Sequence, residues 1–223
     1  MQERVKSRRY DNSRRQAQAR ATRAEVVDAG LRLFVQRGYA ATTVQAIADA
    51  ARTAPATVYR LFGSKRGVLA AVLDISFVGH DEPIAFGDCP EVRAALDEPD
   101  PRRLLEGFAR LCRQLLDRSA PVQHVLREAA AVDPEAAEVL ALVNAQRLEG
   151  QSRIARALAA RHAFADGIAE RDAADITYTL MSPQVHRIFT VERGWSAERY
   201  QRWLVSALCA VLLPPASKHP RRR

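Results

Sequence analysis

A chain of 223 residues, nearly half of them apolar, is long enough to bury a sizeable core, and this composition excludes disorder over most of its length. The net charge of +8 is unevenly placed: residues 1–66 hold 14 basic against 5 acidic residues, residues 67–213 hold 16 against 21, and the last ten add 4 basic residues. Cys89, Cys112 and Cys209 are scattered, the histidines lack ligand spacing, and no apolar run approaches the roughly 18 residues of a spanning helix, which excludes a disulfide framework, a metal site and a membrane segment. A cytoplasmic protein without metal or cofactor is expected.

Alternation with period 2 is nowhere sustained, and the periodic stretches have helical spacing, which predicts an all-α protein. Residues 1–12 (MQERVKSRRYDN) are polar, basic and aperiodic, and read as a flexible arm. Helical character begins near Ser13, and Val27, Leu31, Phe34 and Val35 then share one face. Gly38 suits the left-handed position that closes this helix. Thr42 with Gln45 three residues on matches a capping box for a short second helix ending near Ala51. After the corner Arg52-Thr53-Ala54, Pro55 opens a third helix, where its missing N–H costs nothing. Gly63 breaks that helix and Ser64 can cap a fourth, reaching Phe77. Residues 79–101 read as loop with one short helix near 91–96. Further helices are expected over 101–118, 121–131, 134–162, 171–192 and 196–213, and the basic tail 214–223 is expected to be disordered.

Two short helices joined by a three-residue corner form a helix-turn-helix, whose second helix enters the major groove of DNA. Thr43 at a helix start can present a hydroxyl and an N–H to a phosphate. Thr53, Ala54, Pro55, Ala56 and Thr57 surround the start of the third helix; being small, they let it approach base edges, and their methyls suit the thymine methyl. Tyr59 and Lys65 lie where flanking phosphates would be. The plainer reading is also open: Thr53 only caps, Thr57 is only solvated and Tyr59 packs on the first helix. Arg4, Lys6, Arg8, Arg9, Arg14, Arg15, Arg20 and Arg23 make the leading segment basic, either to enter an adjacent minor groove or to solubilise.

The stretch LFVQRGYAATTVQAIADAARTAPATVYRLFGSKRGVLAAVL closely resembles the N-terminal DNA-binding domain of TetR-like transcriptional regulators. The resemblance is carried by Phe34 with Gly38-Tyr39, Thr42-Thr43-Val44, Ile47-Ala48, Thr57 to Phe62 and Ser64-Lys65. It implies a three-helix head on an all-helical ligand-binding and dimerisation body. It also implies operator contacts at Thr43, Thr53 to Thr57, Tyr59 and Lys65. The domains would be residues 13–63 for the head and 64–213 for the body, with 64–78 as connector. At the corner the sequence departs from the family: Arg52, Thr53 and Ala54 stand where Gly, an apolar residue and Ser are usual. Arginine in a left-handed turn is strained by roughly 1 kcal/mol, and alanine is a poor cap, so Thr53 is an alternative cap and Arg52 a possible phosphate contact.

A dimer reading two half-sites needs an interface. Trp203, Leu204, Leu208, Val211 and Leu212 form one apolar stripe, and Ile176, Leu180, Val185 and Ile188 another; both read either as interface or as core of one chain. Phe108, Leu111, Cys112, Leu115, Leu126, Tyr178, Met181, His186 and Phe189 are candidates to line a pocket for a small, mainly apolar effector, or are plain core. The sequence contains no nucleophile elbow, phosphate loop or HExxH, so an enzyme is not expected and no catalytic residue is assigned. The expected function is a homodimeric regulator, most simply a repressor released from a palindromic operator by its effector. The alternative is a constitutive DNA-binding protein of the same fold.

Overall fold

The computed structural model describes residues 3–78 and 89–215, with side chains described from Gln16 to Phe77 and from Cys89 to Pro215. All regular structure among these residues is helical: α1 (Glu3–Ala41), α2 (Val44–Ala50), α3 (Pro55–Phe62), α4 (Lys65–Val78), α5 (Pro90–Asp97), α6 (Pro101–Ala130), α7 (Pro134–Ala159), α8 (Glu170–Leu180), α9 (Pro183–Arg187), a π turn (Ile188–Glu192) and α10 (Ala197–Leu212). Among the described residues no helix is long and apolar enough to cross a membrane.

Four expectations need correction. First, α1 starts at Glu3 rather than near Ser13, so the leading segment is helix where an arm was expected. Neither glycine nor proline occurs before Gly30, and Arg, Lys, Glu, Gln and Ala propagate a helix well. Second, the cap of α2 is Thr43, whose hydroxyl accepts the Ala46 N–H at 3.1 Å. Thr42 is buried, donating to the carbonyls of Gly38 at 2.8 Å and Leu33 at 3.2 Å, and Gln45 bonds Asp49 at 2.8 Å instead of closing a box. Third, 101–118 and 121–131 are one helix, α6, with Pro121 inside it. An interior proline costs about 3 kcal/mol, and here burial of Leu116, Ala120, Val122 and Val125 on both sides outweighs it. Fourth, the helix expected over 171–192 is broken. Ser182 recaps the chain by accepting the Val185 N–H at 3.2 Å, and Pro183 opens α9. The residue before a proline avoids helical geometry, which is why α8 ends at Leu180.

Other punctuation is as read. Gly38 has φ 76° and ends the main run of α1, Gly63 has φ 73° after α3, and Ser196 caps α10 by accepting the Arg199 N–H at 3.2 Å. The chain divides into two compact units, residues 1–76 with 121–137, and residues 77–120 with 138–223. In the first, Val26, Phe34, Ile47, Ala48 and Val68 are fully buried. In the second, Tyr200, Leu204, Leu208 and Leu212, spaced by four on α10, form one buried row in a cluster with Leu104, Leu105 and Leu158.

Candidate nucleic-acid interface

The corner between α2 and α3 closes with the two bonds of a left-handed helix stop: Arg52 N–H donates to the Asp49 carbonyl at 3.2 Å and Thr53 N–H to that of Ala48 at 2.9 Å. This stop needs one left-handed residue, and Arg52 fills the place with φ 51°. A side chain there is strained where glycine is not. Arg52→Gly is therefore expected to raise unfolding stability by about 1 kcal/mol in denaturant titration; an unchanged midpoint would mean that the arginine is accommodated without strain.

Helix α3 then starts without side-chain help. Ala54 is the N-cap and makes no side-chain cap bond, so Thr53 does not take over that role. Pro55 removes one of the unpaired first-turn donors, and the remaining first-turn amides have no capping side chain competing for them. Val58 is buried and holds the helix down, whereas Ala56, Tyr59 and Arg60 share the exposed face at i, i+3 and i+4. Arg60 escaped the sequence reading, although its spacing from Ala56 was enough to find it. Thr43, Arg52 and Ala54 are also exposed; Thr53, Pro55 and Thr57 are half-buried. The Thr43 hydroxyl spends a lone pair on its cap bond and keeps its proton for an outside acceptor. On α1, Arg23 lies over the Phe62 ring, 4.7 Å from its centre, and tethers the end of α3. The side chains of Arg14 and Arg15 lie outside the described residues.

Lys65 differs from the expectation of an outward phosphate contact. Its ammonium donates to the Tyr39 carbonyl at 2.8 Å and sits 4.1 Å from the centre of the Tyr39 ring. Burial holds its pKa below that of a free lysine. Tyr39 in turn donates its hydroxyl to Asp133 Oδ2 at 3.1 Å, while Asp133 Oδ1 accepts from the Glu135 and Ala136 amides and starts α7. Arg66 pairs with Glu135. The start of α4 is thus tied to the 133–135 corner within one compact unit. Burial, then the Asp133 bond, pushes the Tyr39 hydroxyl up to about 12 from its usual 10. The neutral form is the one favoured by folding, so this contribution is complete below pH 10 and is lost as pH rises towards 12. The melting temperature is expected to fall more steeply across that window in the wild type than in Tyr39→Phe; equal slopes would exclude Tyr39 as the source.

In the second unit, Phe108, Leu111, Cys112 and Met181 are buried in one cluster, with Phe189 packed against it; His186 is buried, and Leu115 and Tyr178 are half-buried. Leu126 does not belong with them: it is buried in the first unit. Leu204, Leu208 and Leu212 are 0% exposed, which corrects their placement at an interface. They lie in the core of a single chain because α10 turns that row inward. Ile176, Leu180, Val185 and Trp203 are partly buried against the same core, and Ile188 and Val211 remain exposed, as does Val191.

Residues 26–72 match the model of bacterial regulatory proteins of the tetR family. The chain is 28% identical over 228 residues to a probable HTH-type transcriptional regulator, ArpR, of Pseudomonas putida, covering 91% of this chain and 97% of the relative. Its fold is similar to that of SmeT, solved with triclosan (TM-score 0.67, 17% identity, 91% of this chain and 96% of SmeT). It is also similar to that of NalD, the secondary repressor of the MexAB-OprM multidrug efflux pump in Pseudomonas aeruginosa (TM-score 0.62, 16% identity, 87% of this chain and 98% of NalD).

Proposed function

We propose that this chain, which belongs to the TetR family of bacterial regulatory proteins, acts as a homodimeric repressor that binds a palindromic operator and leaves it when a small effector occupies its second compact unit. The observation that carries the reading is the exposed face of α3. Eight residues of helix span about 12 Å, a length the major groove admits, and the face presents a small residue, a phenol and a guanidinium in succession. Ala56 and Thr57 are assigned to base edges, and Thr43, Tyr59 and Arg60 to phosphates. The two-fold partner face is assigned to Ile188, Val191 and Val211, the exposed apolar residues of the π turn and α10. A repressor role and an effector are supported by the kinship of fold with NalD and SmeT, and release then follows from an effector that prefers the DNA-incompetent state.

Selection of bound sequences from a random duplex library at near-physiological salt, with particle mass by light scattering, tests this reading. A palindromic motif and a dimer mass are expected. Binding without any motif would refute sequence-specific regulation. Tyr59→Ala is expected to weaken binding to every selected sequence by about tenfold and to reduce its salt dependence, with stability unchanged because the ring is 54% exposed. Unaltered affinity would remove Tyr59 from the interface.

A further inference from the structure

The corner between α2 and α3 holds a side chain that the fold itself does not need. Among the described residues, left-handed backbone is taken by Gly38, Gly63, Gly167 and Gly194, and by two residues with side chains, Arg52 at φ 51° and His162 at φ 49°. The stop after α7 has the same pair of bonds as the one at Arg52: His162 N–H donates to the Ala159 carbonyl at 2.9 Å, and Ala163 N–H to that of Leu158 at 3.2 Å. Histidine is enriched in this conformation and arginine is not. Backbone strain of this kind gathers at functional sites, and an observed outlier is a reason to look for one.

Nothing in the chain offsets the strain. The Arg52 side chain is exposed, and its guanidinium makes no hydrogen bond, ion pair or ring contact among the described residues. Asp49, three residues back on α2, is bonded by Gln45 at 2.8 Å instead. Other arginines of the same unit are occupied: Arg20 donates to the Gln16 carbonyl at 3.4 Å, Arg23 lies over the Phe62 ring, and Arg32 and Arg66 pair with Asp28 and Glu135. Of the arginines in that unit whose side chains are described, only Arg37 and Arg60 are as free, and Arg60 is the one already assigned to a phosphate. A cation does suit the C-terminal end of the α2 dipole, a role confined to the fold. The position of Arg52 points beyond the fold. It follows directly on Ala51, the C-cap of α2. In a helix-turn-helix the first helix crosses the DNA backbone, while the start of the second meets base edges. A guanidinium at the end of α2 is therefore placed for the backbone, where it can present two parallel N–H donors to one phosphate.

We infer that Arg52 is a phosphate anchor of the DNA complex, kept in a strained conformation that weakens the free protein. The inference rests on the reading of α2 and α3 as the DNA-binding pair. The test is titration of the selected operator and of a random duplex, by fluorescence anisotropy at several salt concentrations, with full-length wild type, Arg52→Gly, Arg52→Asn and Arg52→Lys. Arg52→Gly is expected to melt higher, by about 2–4 °C. It should nevertheless bind both duplexes about tenfold more weakly, with a salt slope lower by about one. The motif it selects should be that of the wild type, because a phosphate contact carries no sequence information. Arg52→Asn, whose side chain tolerates left-handed backbone, should lose as much affinity as Arg52→Gly. Arg52→Lys, which keeps the charge but not the two-pronged donor, should retain the salt slope and most of the affinity. Unchanged affinity in Arg52→Gly, an equal loss in Arg52→Lys, an altered motif, or a lowered melting temperature in Arg52→Gly would each overturn the inference, the last by leaving Arg52 as a helix-end charge only. Failure of the regulator reading looks different: the wild type would select no motif, yet Arg52→Gly would still weaken binding to the random duplex.

Discussion

Ala56→Glu is expected to weaken binding to the selected operator by roughly 100-fold or more while the protein melts no lower than wild type. Ala56 is exposed at the second position of α3, on the face assigned to base edges. A carboxylate there meets the phosphate field of the duplex and fills the space that lets the helix approach. The same carboxylate suits the fold, because acids in the first turn of a helix gain about 0.3–1 kcal/mol from its dipole. DNA binding and stability therefore move apart. Ala94→Glu, at an exposed site on α5, changes the net charge equally and should leave operator affinity nearly intact. If Ala56→Glu binds as the wild type does, α3 is not the helix that reads DNA.

Leu204→Ala is expected to cost about 3 kcal/mol of folding stability, the largest loss among single changes considered on α10. Leu204 has no exposed surface and is flanked at i±4 by Tyr200 and Leu208, which are equally buried. The void left behind is lined on several sides, so collapse around it would be partial. Because the residue belongs to one chain's core, the loss should appear in denaturant unfolding independently of protein concentration. Val211→Glu should do the reverse, leaving the chain folded but halving its mass in solution, since Val211 is 43% exposed. Dissociation in Leu204→Ala without a drop in stability would return that residue to the interface.

These two predictions mark where the sequence was legible. The head was readable because its breaks are chemical: Gly38, Pro55 and Gly63 each fix a backbone conformation that few residues share. The cap was misplaced by one position because Thr42 and Thr43 are the same residue type, and only burial of Thr42 distinguishes them. Pro121 looked like a helix start because local propensity is visible in a sequence and the packing that overrides it is not. Likewise, a row such as Leu204, Leu208 and Leu212 has one periodicity whether it faces its own chain or another. The contact of His186 Nε2 with Asp117 Oδ1, at 3.0 Å, was beyond reach, since the two residues are 69 positions apart in the chain.

The Tyr39–Asp133 bond joins residues 94 apart in the chain, and it bears on how such a protein can be recombined. Val122, Val125, Leu126 and Ala129 are buried in the same compact unit as α2 and α3, the helices proposed to read DNA. A DNA reader cut at the end of α4 would leave behind part of its own interior and the acceptor for Tyr39. Grafting this specificity onto a foreign sensor is therefore not a matter of one splice. The transplant must carry residues 121–137 as well, or the recipient must already supply their like.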